Sequence, residues 1–381
     1  MPLDTRLQRT LSSVALAAAL ALGLAACAQQ KTAPAATAAA STDTAAAQAA
    51  AQPAADSRVI RRELAHGVYE LVYSPVTDAI YVSTAQSITG VKGGVIYKLD
   101  PKTLETTGQT YTDLKNFGAT TNPAGDTLYV TNSLSSGISA IDVKSGEVKA
   151  RLKFSDLGPE KKPLGPRQII YSAANDTLYV GGVGNPGVIW VVDAKTLKLK
   201  TRITNAGKWV TGLLLDPAAK RLYAANGGGE VLVINTTTNK IQARWTPGPD
   251  EKGNKEYLLL NFAHDPKTHR LFVTDHSQAK TTLVFDDRSG KVIERLPVGD
   301  SMGIKLNPVR NELYITQRDA GKLLVLDATS YAVKKSYDLP PNPNSLLISP
   351  DGQVLYATVK VGFNKDYSTV GPDSVVRIEL E

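Results

Sequence analysis

Seven copies of one four-stranded unit, closed into an all-β propeller, are what this 381-residue sequence predicts. Three observations carry that reading. An aromatic residue in a short apolar strand recurs at Tyr81, Tyr129, Tyr179, Tyr223, Phe272, Tyr314 and Tyr356, at spacings of 42 to 50 residues. An Asn/Asp/Ser-Pro turn stands before six of these anchors, as in Asn122-Pro123-Ala124-Gly125 and Ser349-Pro350-Asp351-Gly352. Proline at the second turn position pre-sets φ, and the polar or Gly residues after it close the turn. The third observation is a second apolar strand after each anchor, ending in Asp in five units (Asp100, Asp142, Asp193, Asp286, Asp327) and in Asn235 in another. No long segment of 3.6-residue period interrupts the pattern.

Taken in order, residues 1–26 read as a secretory signal peptide. Arg6 and Arg9 precede an apolar run from Leu11 to Leu24, too short for a comfortable membrane span. The single cysteine, Cys27, closes Leu24-Ala25-Ala26-Cys27. That tetrad resembles the bacterial lipobox, which implies a lipid on Cys27 and attachment to the periplasmic side of the envelope, the outer membrane favoured. Residues 27–57 are rich in Ala, Thr and Pro and read as a flexible tether with a reach of roughly 30 Å.

Residues 58–381 hold the seven units, each read as strand, turn, strand, loop, strand, turn, strand. The chain stops after the third strand of the last unit, Val375-Val376-Arg377-Ile378. A spare strand, Arg58-Val59-Ile60-Arg61-Arg62, precedes the first. The spare strand is therefore expected to complete the last blade and close the ring, removing an open edge.

Composition narrows the chemistry. With one Cys no intrachain disulfide and no Cys-based zinc site can form, and four His leave little room for a His cluster. No metal and no cofactor are expected: there is no Cys-x-x-Cys-His, P-loop, His-Glu-x-x-His or Gly-x-Ser-x-Gly. His264 and His269 flank a short turn, and the recurring strand-end Asp residues read as turn caps. The formal charge of +7 permits an acidic partner without demanding one.

The units resemble the YVTN-type repeats of the YncE-like family of secreted seven-bladed β-propellers. Tyr129-Val130-Thr131-Asn132 matches the four letters in full, while Phe272-Val273-Thr274-Asp275 and Tyr314-Ile315-Thr316-Gln317 keep part of them. The resemblance covers nearly all of 58–381. It implies the seven-bladed fold and, because the family has been linked to binding DNA, a nucleic-acid ligand. It brings no catalytic residues with it.

In such a ring, the loops between blades share one face with the loops joining the second and third strands. Those loops are the irregular ones here, and binding usually sits on irregular loops of a rigid scaffold. Aligning the starts of the inner strands places Tyr69, Phe117, Arg167, Trp209, Tyr257, Met302 and Asn344 near the channel mouth, one per blade, with Lys115, Lys208 and Lys255 beside three of them. From the second loop, His276, Arg318, Lys360 and Lys365 are expected to face the same way. Each aromatic here either packs between blades or offers a stacking face; each basic residue is either solvated surface or a phosphate contact. The expected function is a non-catalytic, monomeric binding module that takes single-stranded DNA or another polyanion at the mouth. A protein-docking scaffold in the envelope and a lactonase-like enzyme are the alternatives.

Overall fold

The structure is a computed structural model, and it describes residues 57–86, 90–339 and 342–381. Cys27 and the tether lie outside the described residues. Seven four-stranded antiparallel sheets form the blades. Blade 1 runs Val68–Ser74, Ala79–Thr84, Gly94–Leu99 and Thr106–Thr112 from inside to outside. Blades 2 to 6 repeat that order behind inner strands Ala119–Thr121, Gly165–Ser172, Val210–Asp216, Leu259–Asp265 and Ile304–Asn307.

Blade 7 is built from both ends of the chain. Asn342–Ile348, Val354–Lys360 and Asp373–Glu379 are its first three strands, and Val59–Ala65 is its fourth. The pairing is antiparallel, with Val59 opposite Ile378 and Arg62 opposite Val375. The closure expected from the spare strand is what the ring shows.

The burial pattern follows from the stacking of blades. The third strand of blade 3, Val188–Asp193, is buried along all but its last residue because both of its faces meet apolar neighbours. The outermost strands alternate instead, as Val148–Lys153 does, since one face is wet. Hydrophobic clusters fill the space between successive blades: Tyr179 belongs to the one joining blades 3 and 4, Tyr223 to the one joining blades 4 and 5. All seven anchor aromatics are buried.

The anchors also hold the ring on the face away from the mouth. The Tyr81 hydroxyl donates to Val143 O at 3.1 Å in the next blade, Tyr129 to Ala194 O at 2.9 Å, and Tyr356 to Pro101 O at 2.8 Å. Each acceptor directly follows the residue that ends a third strand, or lies in the turn behind it. Where the anchor is Phe272, Arg270 Nη1 reaches Ala328 O at 3.4 Å instead. The strand-end acids cap those turns. Asp142 Oδ1 accepts from the backbone N–H of Lys144 and Ser145 at 2.9 and 2.8 Å, and Asp327 does the same for Thr329 and Ser330. Lys149 beside Asp142 holds its carboxyl well below the usual carboxylate range. His264 and His269, on this same face, both bond to Asp287, at 2.7 and 3.0 Å.

The closing strand yields a direct test. A protein lacking residues 59–64 leaves Asp373–Glu379 with an open edge. It is expected to melt at a lower temperature than the parent and to aggregate during calorimetry. A truncated protein that unfolds reversibly at the parent temperature would show that the pairing does not close the ring.

Candidate functional site

The mouth is built by an irregularity repeated around the ring. In five blades the register between inner and second strands breaks near the start of the inner strand, for example between Val68 and Leu71 and between Pro166 and Ile169. Two inner-strand residues then face one residue of the second strand, which bends the strand and re-aims its side chains. Blades 2 and 6 do the same just ahead of their inner strands: Thr131 O accepts from Phe117 N while Thr131 N donates to Gly118 O, and Thr316 treats Met302 and Gly303 alike. The first bulge position is thus occupied by Tyr69, Phe117, Arg167, Thr211, Leu260, Met302 and Asn344.

Five of the seven residues aligned from sequence occupy that position, and two do not. Trp209 lies two residues ahead of Thr211, on the rim, with φ +56°. Its indole rests on Gly227, where a Cβ would come within 3.0 Å of the ring, and the exposed Lys208 ammonium sits 4.3 Å above it. Tyr257 lies three residues ahead of Leu260 and is buried in the core between blades 4 and 5. Its hydroxyl accepts from Arg295 Nη1 at 2.9 Å, so it presents no face to a ligand. The Met302 side chain is buried as well, beside Asn261. Tyr69, Phe117, Arg167 and Asn344 remain half-buried at the mouth. The Tyr69 and Phe117 rings lie 4.6 Å apart, tilted by 55°.

The second bulge position carries residues that sequence alignment did not single out: Glu70, Gln168, Asn261 and Ser345, with Gly in the other blades. Ser345 Oγ donates to Glu70 Oε2 at 3.3 Å. Burial pushes the Glu70 carboxyl up, opposed by Lys305 of blade 6, the Leu71 N–H, Arg167 of blade 3 and Ser345. Blades 6 and 3 are not sequence neighbours of blade 1, so Lys305 and Arg167 act on Glu70 from across the ring. Arg318 of blade 6 likewise acts on Arg167 of blade 3. Burial and that repulsion push the Arg167 guanidinium down, while Glu70 works the other way.

Four residues after each anchor aromatic the chain enters the second loop. There stand Ala85, Ser133, Val183 and Gly227 in blades 1 to 4, and His276, Arg318 and Lys360 in blades 5 to 7. The three basic residues are 7%, 7% and 3% exposed. One side of the mouth is therefore a buried basic arc, and the other is lined by small residues at the same height. Burial pushes the His276 imidazole down, and its Nδ1 is buried without a hydrogen-bond partner. Lys360 is committed to the protein itself. Its ammonium bonds Asp373 Oδ2 at 3.1 Å and Val68 O at 2.7 Å, and lies 4.0 Å from the Tyr69 ring centre. Asp373 also accepts from Val68 N and Val361 N, both at 2.8 Å. Breaking such a buried pair from one side typically costs about 3–5 kcal/mol, which marks Lys360 as structural. Lys115 is likewise engaged, donating to Ala85 O at 2.9 Å and Val91 O at 2.6 Å. Lys255 and Lys365 are exposed. Among the described residues no group of three His, Cys, Asp or Glu side chains is placed to hold a metal ion.

Two curated relatives extend over nearly the whole propeller. The Salmonella typhimurium protein YncE is 43% identical over 324 residues, which is 84% of this chain and 91% of that protein. YncE of Escherichia coli is 44% identical over 328 residues, 86% of this chain and 92% of its own length. This chain belongs to the YncE family. A more distant relative of this YncE-family chain is the antigen Lp49 of Leptospira interrogans, 26% identical over 231 residues, 59% of this chain and 48% of the antigen. No family model matches the chain. Among solved structures, hydrazine synthase of Kuenenia stuttgartiensis superposes with a TM-score of 0.63 over 77% of this chain and 92% of that one, at 19% identity. At that identity the likeness concerns the fold alone.

Proposed function

We propose that the protein is a non-catalytic binding module of the cell envelope that captures an anionic ligand at its channel mouth, single-stranded DNA being the ligand the site suits best. One observation carries the reading. Three consecutive blades place His276, Arg318 and Lys360 at the same position, and Arg167 faces that arc from the far side of the axis. Buried cations are expensive unless they are paired. Lys360 is held by Asp373, and Asp319, Asp373 and Asp300 act on Arg318. Arg167, half-buried and without a side-chain hydrogen bond or ion pair among the described residues, is the cation able to meet an anion from outside. Tyr69 and Phe117, half-buried and in contact, add an aromatic platform of the kind that stacks on bases regardless of sequence. A lipid on Cys27 would hold this mouth at the envelope surface by its tether. The protein acts as a monomer on this reading, since the ring closes on its own chain.

Two measurements test it. Fluorescence anisotropy with a labelled single-stranded oligonucleotide across a salt series is expected to show binding that weakens steeply with salt, that dextran sulfate matches poorly, and that Arg167→Ala weakens by about tenfold or more. Binding indifferent to Arg167, or its absence at low salt, refutes a nucleic-acid site at the mouth. For the anchor, radiolabelled palmitate is expected to enter the protein in cells and not its Cys27→Ser variant. Label in both, or in neither, contradicts lipidation at Cys27.

A further inference from the structure

On the face away from the mouth, a cleft of about 490 Å³ opens between blades 2 and 3. One register position makes the room. Opposite the anchor aromatic, the third strand carries Lys98, Val191, Val233, Val284, Val325 or Arg377 in six blades, but Ala140 in blade 2. Ala150 on the fourth strand stands opposite Ala140, so both strands line the cleft with small side chains. The volume falls within the range of small-molecule sites, roughly 300–1,000 Å³.

Two tyrosines supply the apolar lining, and both are tied in place. The Tyr129 hydroxyl donates across the blade boundary to Ala194 O at 2.9 Å, and the Tyr171 hydroxyl to Asp176 Oδ1 at 2.5 Å. Their rings lie 5.9 Å apart, tilted by 32°. Each blade adds one exposed lysine. Lys149 is the extra residue of the bulge between the Ala140–Ala150 and Ile141–Val148 pairs, and a bulge re-aims its side chain. Lys149 Nζ bonds Asp142 Oδ2 at 2.7 Å, and Lys195 Nζ bonds Asp176 Oδ2 at 2.6 Å. Both charges are neutralised, yet an ammonium has three donors and a carboxylate about four acceptor positions, so each pair can still hydrogen-bond. An ionic ligand would compete with one of these pairs. Hydroxyl groups, which donate and accept, can bond to ammonium and carboxylate together.

We infer that this cleft binds a neutral saccharide. A pyranose rests its apolar C–H face on the half-buried Tyr171 ring, above the Tyr129 floor, and turns its hydroxyls to Lys149, Lys195 and Asp176. The site is separate from the mouth, and its test does not depend on the anionic ligand proposed there.

The experiment is saturation-transfer NMR on the full chain with methyl glucoside, methyl N-acetylglucosaminide, cellobiose and chitobiose, followed by titration of those that respond. At least one is expected to receive saturation, most strongly on its ring C–H protons. Four other blades carry valine at the Ala140 position, so Ala140→Val is expected to melt at the parent temperature. It fills the cleft and is expected to weaken binding by at least about tenfold. Tyr171→Leu, which places the residue of blades 4 and 6 there, is expected to lose binding as well, while Tyr171→Phe keeps the ring and most of the affinity. Saturation of the sugars that neither Ala140→Val nor Tyr171→Leu diminishes would place them elsewhere and overturn the inference. Silence from all four probes overturns it too. Phenol binding that Ala140→Val abolishes, with no sugar bound, would identify the cleft as a site for apolar rings and refute the saccharide.

Discussion

A hydroxyl in the second strand of most blades ties this ring together at the mouth. Gly118 N–H donates to Thr131 Oγ1 at 2.8 Å, and Thr131 Oγ1 donates in turn to Arg167 O of the next blade at 3.0 Å. Thr274 joins Asn261 N to Met302 O at 2.9 Å on each side, and Thr316 joins Gly303 N to Asn344 O. Thr358 carries the chain of bridges from Ser345 N to Tyr69 O, and Ser83 from Glu70 N to Phe117 O. The bulge frees an N–H and a C=O from the ladder, and a buried backbone group without a partner is costly. One hydroxyl answers both needs and crosses a blade boundary in doing so. Blades 3 and 4 have Gly181 and Ala225 at that place. Gln168 Oε1 accepts from Leu213 N at the first boundary, and Thr211 donates to Leu259 O at the second.

The same contacts explain the small residues around the axis. A Cβ on Gly118 would lie 2.3 Å from Arg167 O, one on Gly212 2.0 Å from Leu260 O, and one on Gly303 2.2 Å from Asn344 O. Neighbouring inner strands approach too closely at the bulge for a side chain there. Where a side chain is present instead, as at Glu70 and Gln168, it belongs to the mouth or to a bridge. The bulge is therefore both the joint between blades and the device that turns Tyr69, Phe117 and Arg167 toward the channel. The joint between blades and the shape of the mouth rest on one local feature, repeated with different side chains.

Much of this was legible in the sequence. The anchor spacing, the strand-end acids and the spare strand at Val59 determine blade number, turn position and closure, because each reports a local requirement that every blade must meet. Individual mouth residues were legible only where the alignment followed the bulge. At blades 4 and 5 the aromatic character of Trp209 and Tyr257 drew the alignment away from Thr211 and Leu260, since a bulge has no composition of its own. Glu70 was missed because its importance lies in facing Lys305 and Arg167 from non-adjacent blades, a relation that strand patterns do not encode. The basic arc was legible: His276, Arg318 and Lys360, read as second-loop residues facing the mouth, each stand four residues after an anchor. That Lys360 is held by Asp373 was not, because the pairing depends on how the loop between them folds back.

The claim at the centre of this account is that the bridging hydroxyl holds the bulge and the ring, and Thr131 is the place to measure it. Valine keeps the shape of threonine and removes the hydroxyl, leaving Gly118 N–H and Arg167 C=O without their shared partner. Urea denaturation of Thr131→Val beside Thr131→Ser is expected to show a loss of about 2 kcal/mol for valine, largely restored by serine. A valine variant as stable as the parent would mean that the apolar packing between blades holds the ring without the bridge.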